Sequence, residues 1–174
     1  MIKFSRAALG AALLAVSGLA AASTTTVAVD AMINSVEGGS AAVTGVFLAA
    51  GQTFTAVVES GPGSNTLWKN DPAPFYTTTA DGGSFGDWTE GTDSTFAIGS
   101  LVGKIGSGDY FKVGSDFSGQ ANATGVLQLF YWDSDAWNNS GTLKVDVTAV
   151  PEPTNIALMG LALGAFALAR RRKA

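Results

Sequence analysis

Between residues 25 and 150 apolar and polar residues alternate in short runs, and glycine or another turn former breaks the run every ten or so positions. Alternation with period two places successive side chains on opposite faces of an extended strand; a helix instead needs apolar residues three and four apart. In residues 53–58, Phe54, Ala56 and Val58 share one face, and Thr53 and Thr55 share the other. In residues 141–150, Leu143, Val145 and Val147 alternate with Lys144, Asp146 and Thr148. Residues 25–31, 42–48, 96–105, 110–113 and 126–132 give further strands. Seven or eight short strands in about 125 residues predict an all-β fold, an antiparallel β-sandwich of jelly-roll type. Residues 70–93 are the least strand-like stretch. They carry Pro72, Pro74, Gly82, Gly83, Gly86 and Gly91, and they read as a long surface loop.

The two ends do not share this pattern. Lys3 and Arg6 precede an apolar run over residues 7–19, and Ala20, Ala21 and Ala22 follow. This is the layout of a secretory signal peptide over residues 1–23, cleaved by signal peptidase to leave a domain over residues 24–150. At the other end, Pro151, Glu152 and Pro153 precede an apolar stretch over residues 156–169 and then Arg170, Arg171, Arg172 and Lys173. Fourteen apolar residues rise roughly 21 Å as a helix, short of a hydrocarbon core about 30 Å thick. Such a helix anchors marginally, and its basic end stays on the cytoplasmic side.

The order P-E-P, short apolar helix and arginine cluster closely resembles the PEP-CTERM sorting signal. That resemblance implies a Gram-negative exported protein, anchored in the inner membrane in transit and processed by the transpeptidase-like enzyme exosortase. It further implies delivery to the cell surface or to the extracellular polysaccharide matrix of a biofilm.

Histidine and cysteine are both absent. Nucleophilic catalysis with an imidazole base, thiolate or imidazole zinc sites, iron–sulfur ligation and disulfides are thereby excluded. Oxygen chemistry remains, as in a calcium site or a carboxylate pair. Without its two terminal signals the chain keeps four basic and thirteen acidic residues, a net charge of −9. That balance suits a dication and neutral glycans and argues against nucleic acid.

The segment Y-W-D-S-D-A-W-N-N-S-G, residues 131–141, lies between two predicted strands and reads as a loop at one end of the sandwich. Asp133, Asp135, Asn138 and Asn139 offer two carboxylates and two amide oxygens there. Calcium takes six to eight oxygen ligands, so four side-chain oxygens make up about half a shell. The spacing is not that of an EF-hand, and Asp/Asn-rich loops are also ordinary turn chemistry. Trp137 stands within the loop as a candidate stacking platform for a sugar face, whereas Trp132 and Trp68 read as packing residues.

The pieces A-A-G-Q-T-F-T-A-V-V-E-S-G-P, G-S-L-V-G-K-I-G-S-G and L-F-Y-W-D…N-N-S-G-T-L-K-V-D-V occur in that order. Together they resemble the bacterial PA-I type galactophilic lectins over about 100 residues, 42–147. The resemblance implies a galactose-binding-like sandwich in which calcium is held between the Asp…Asn-Asn loop and a backbone carbonyl before Gly-Pro. Vicinal sugar hydroxyls complete the shell. Carried over, Asp133, Asn138 and Asn139 become metal and carbohydrate ligands, and the Ser60 carbonyl, before Gly61 and Pro62, becomes a metal ligand. The loop is two residues shorter than the family's, so Asp135 or Ala136 stands where a threonine carbonyl belongs. The family's sugar-contacting histidine has no counterpart here.

The expected function is therefore a non-enzymatic, calcium-dependent binder of extracellular polysaccharide or another glycan. One alternative is a structural surface or matrix protein that keeps the fold without binding sugar. Another is a glycoside hydrolase pairing Asp133 with Asp135, or with Asp87 or Glu90 from the long loop.

Overall fold

The computed structural model describes residues 22–59, 68–70, 76–84, 86–91 and 94–150, with Gly160 and Gly164; the side chains at 68–70 and 76–77 are not among them. The chain divides into two compact units, Ala22–Val150 and a second made of Met1–Ala21 with Pro151–Ala174. Of the second unit only Gly160 and Gly164, both helical, are described, so the signal peptide and sorting helix fall outside the described residues. Among the described residues no helix is long and apolar enough to cross a membrane.

Ala22–Val150 is a sandwich of two antiparallel four-stranded sheets. The first has the order β1 (Ser23–Asp30), β13 (Thr142–Ala149), β3 (Thr53–Val58), β10 (Asp116–Gln120). The second has the order β2 (Ala42–Leu48), β11 (Gly125–Tyr131), β8 (Leu101–Ile105), β9 (Phe111–Lys112). Their inward faces are the apolar halves of the alternation. Val29, Phe54, Ala56, Leu143, Val145 and Val147 from the first sheet meet Leu48, Leu101, Ile105, Leu127, Leu129 and Tyr131 from the second in one cluster. Phe54 closes the far side against Phe117, with ring centroids 4.9 Å apart.

Residues 42–48 and 53–58 form strands with the predicted bounds. Residues 96–105 are not one strand. β7 (Ser94–Ala97) ends at a turn through Gly99, whose φ of +87° suits glycine, and β8 begins at Leu101. The expected long loop over 70–93 is also corrected. β5 (Tyr76–Thr78) and β6 (Asp87–Glu90) lie within it, and β6 pairs with β7. This hairpin covers the outer face of the second sheet. There Trp132 lies 4.9 Å from both Trp88 and Phe96 between ring centroids, and Tyr110 packs against Phe130 and Trp132.

β1 and β13 pair along their whole lengths, from Ser23 opposite Ala149 to Asp30 opposite Thr142. The chain thus enters and leaves the sandwich side by side. The opposite pole is built from the segments that follow Asp30 and precede Thr142.

Candidate calcium and glycan site

Residues 132–138 connect β11 to the short β12 (Asn139–Ser140), which pairs with β4 (Trp68–Asn70). The loop starts from a fixed point. Trp132 is fully buried, and its indole N–H donates to the Trp88 carbonyl at 2.9 Å. Its own N–H donates to the Ser100 carbonyl, and its carbonyl accepts from Gly99 N–H, each at 2.9 Å. A Cβ on Gly99 would collide with Thr78, so only glycine lets that N–H approach.

Asp133 follows directly and is 3% exposed. Its carbonyl accepts from the Glu37 N–H at 3.3 Å and from the Ser35 hydroxyl at 3.4 Å. The segment after β1 therefore walls one side of the site, with Gly38 against Ala136. Nothing local in the sequence marks these residues, because they meet Asp133 from far back in the chain, Ser35 across 98 positions.

Asp133 Oδ1 accepts from the Asp135 N–H at 3.3 Å, and Asp133 Oδ2 has no partner. Asn139 is 4% exposed, and its amide N–H donates to the Asp135 carbonyl at 2.9 Å, which leaves Oδ1 as its free acceptor. Among the described residues, the buried side-chain polar atoms without a partner are Asp133 Oδ2, Asn138 Oδ1 and Asn139 Oδ1. All three are acceptors, all three are oxygens, and they stand within seven residues of sequence. A buried acceptor left unpaired costs about 1–3 kcal/mol, and these three in one loop form a set that a donor or a cation would satisfy.

Burial pushes the Asp133 carboxyl above its ordinary range, and the neighbouring Asp135 charge adds to the rise. The Asn139 amide and the N–H groups of Asp135 and Ser134 oppose it without cancelling it. Burial thus disfavours the ionised carboxylate, and a hard cation on its free oxygen would offset that penalty. Among the described residues no three carboxylate, imidazole or thiol side chains cluster to hold a metal. A cation bound here would add amide and backbone oxygens to the Asp133 carboxylate.

Asp135 is placed differently from the other three. Its carboxylate accepts from the Trp137 backbone N–H at 3.4 Å and from the Trp137 indole N–H. It braces the loop and the ring. Trp137 is 71% exposed, so its face is open to solvent beside the loop. Ser60 and the side chain of Trp68 lie outside the described residues, as do Pro151, Glu152, Pro153, Arg170, Arg171 and Arg172.

Comparison with known proteins agrees with both parts of the chain. Residues 149–173 match the model of the PEP-CTERM protein-sorting motif. The motif indicates export with membrane-anchored transit. No curated protein matches the chain. Among solved structures, the chain is similar to one described as "EclA N-terminal domain; PllA-like lectin", with 25% identity and a TM-score of 0.52. The match covers 72% of this chain and 96% of that one. The chain therefore carries a PEP-CTERM sorting motif behind a sandwich that is structurally lectin-like.

Proposed function

We propose that the chain is an exported carbohydrate-binding protein whose sandwich grips a glycan through a calcium ion held by Asp133, Asn138 and Asn139. The observation that carries this reading is the set of three unpartnered buried oxygens on those residues. The likeness to a lectin of similar fold supports it. One carboxylate and two amide oxygens are hard ligands that match calcium, and the Ser60 carbonyl is proposed as a fourth. Calcium bound there would offer its remaining positions to sugar hydroxyls.

The chain's own residues do the rest. Trp132 and the segment after β1 hold Asp133 in place, the Asn139 amide orders the loop through Asp135, and Trp137 offers a flat apolar face to the C–H side of a pyranose. Signal peptidase and exosortase are the proposed processing partners, with the inner membrane as a temporary anchor. Extracellular polysaccharide at the cell surface or in the matrix is the proposed ligand.

Isothermal calorimetry of calcium chloride into Ala22–Val150, followed by a glycan array with calcium and with chelator, tests this function. Saturable calcium uptake and chelator-sensitive glycan retention are expected. Uptake of neither would overturn the reading in favour of a structural matrix protein on the same fold.

A further inference from the structure

The proposed site and the point where the chain leaves the sandwich lie at opposite ends of the same strand. β13 runs from Thr142, three residues after Asn139, to Ala149. Eight residues of strand span about 26 Å. At the site pole Ala31 N–H donates to the Gly141 carbonyl, and the segment after β1 walls Asp133. At the other pole Val150 N–H donates to the Thr53 carbonyl, and Gln52 donates to the Val150 carbonyl. These bonds fix the chain through Val150.

The sorting motif starts at residue 149, the final residue of β13, and in sequence only residues 151–155 lie between the sandwich and the apolar stretch that begins at 156. Turning the site back toward a surface that holds the motif would require a linker reaching the length of the sandwich. A flexible chain spans about 5–6 Å times the square root of its residue number, so that reach needs about twenty residues. The N-terminal segment enters at the same pole, because Ser23 pairs with Ala149.

From this geometry we infer that the protein binds its glycan in trans. It is held through the motif pole at one surface, and it grips polysaccharide carried by another surface or by the free matrix. The inference rests on the carbohydrate-binding reading. It adds which glycans the site can reach: those facing the tether surface and not those rooted in it. The exposed side chains of Met32, Ile33 and Trp137 stand on the two segments that form the distal pole, where an incoming polymer would meet them first.

The test uses the full chain in a host that exports it. Cells displaying the protein are mixed with differently labelled cells that lack it and keep their surface polysaccharide. Purified Ala22–Val150, a unit that contains the whole described core, is assayed in parallel for calcium-dependent retention of that polysaccharide. Mixed clumps that form with calcium, dissolve with chelator and disappear with Asp133→Asn at equal display are expected. Retention by the purified unit without mixed clumps would overturn binding in trans and leave the glycan reading standing. Absence of retention by the purified unit would overturn both.

A circular permutant that joins Val150 to Ala22 and opens between Val113 and Gly114, whose N–H groups donate to the carbonyl of Leu101 opposite Tyr131, moves the sorting motif to the site pole without cutting the segments that form the site. It should keep polysaccharide retention in purified form and lose mixed clumping when displayed. Clumping equal to that of the parent would also overturn the inference.

Discussion

The Asp135 carboxylate accepts a hydrogen bond from the indole N–H of Trp137 two residues later, fixing a ring that is mostly exposed. A tryptophan this exposed has little packing to hold it, so the carboxylate supplies the orientation that a stacking platform needs. Trp137→Ala should leave thermal stability and calcium affinity nearly unchanged, because the ring buries little. Glycan retention should fall by about 0.5–1.5 kcal/mol, the range of a ring-face contact. Calorimetry on calcium and on glycan separately reads the two effects, and an equal loss in both would show that the ring acts on the loop instead.

Asp133→Asn keeps the shape of the side chain and removes the buried charge. In the absence of calcium the variant should be as stable as the parent or slightly more so, because a desolvated carboxylate is no longer buried. The parent should gain about 2.7 kcal/mol at calcium one hundred times its dissociation constant. The variant should gain almost nothing at that concentration. Thermal melts with calcium and with chelator give both numbers.

The raised pKa of Asp133 also sets a pH dependence. In the folded, calcium-free protein this carboxyl holds its proton above the pH at which the unfolded chain releases it near 3.8. Between those two values the folded state binds more protons, so stability falls as pH rises through the window. Calcium stabilises the ionised form, and protons compete with it. The melting shift produced by calcium should therefore grow as pH rises through the folded pKa and vanish below it. A shift independent of pH across the carboxylate range would place the cation elsewhere.

How much of this was legible in the sequence follows from what is local. The alternation of Phe54, Ala56 and Val58, and that of Leu143, Val145 and Val147, gave the strands because each face is buried on one side only. β10 carries Asp116, Ser118, Gly119 and Gln120 around a single Phe117, and a sheet edge tolerates so polar a strand. Asp133, Asn138 and Asn139 were legible as a cluster of oxygens; that their free oxygens are buried was not. That burial depends on the segment around Ser35 and Glu37 and on Trp132 seated under the β6–β7 hairpin. Both contacts join residues far apart in the chain.

Asp81 ties residues 79–82 to the turn before β10. Its carboxylate accepts from the Ser115 N–H at 3.0 Å and the Ser115 hydroxyl at 2.8 Å, and its carbonyl accepts from Lys112 at 2.9 Å. Burial raises its pKa, but the two Ser115 bonds and the Lys112 charge together outweigh burial and bring it below the ordinary value. This contribution is present above the unfolded pKa and is lost as pH falls through the lowered one. Asp81→Ala should cost about 1 kcal/mol at neutral pH, reduced by its solvent exposure, and the cost should disappear in strong acid. Denaturant titrations at neutral and strongly acidic pH check both halves.

Trp132 touches neither the proposed cation nor the glycan, yet it sets where the loop begins. Trp132→Phe removes the donor to the Trp88 carbonyl and shrinks a ring packed between Trp88, Phe96 and Tyr110. Truncation of a buried aromatic with loss of a hydrogen bond should cost about 2–3 kcal/mol of stability. Because Asp133 is the next residue, calcium affinity should fall as well, and Trp137 should become more mobile in fluorescence anisotropy. As a control, Phe54→Leu acts at the β3–β10 side of the core, where Phe54 packs against Phe117. It should lower stability by a comparable amount and leave calcium affinity in the folded protein intact. Equal losses of affinity in both variants would mean that general stability, not the seating of Trp132, governs the loop.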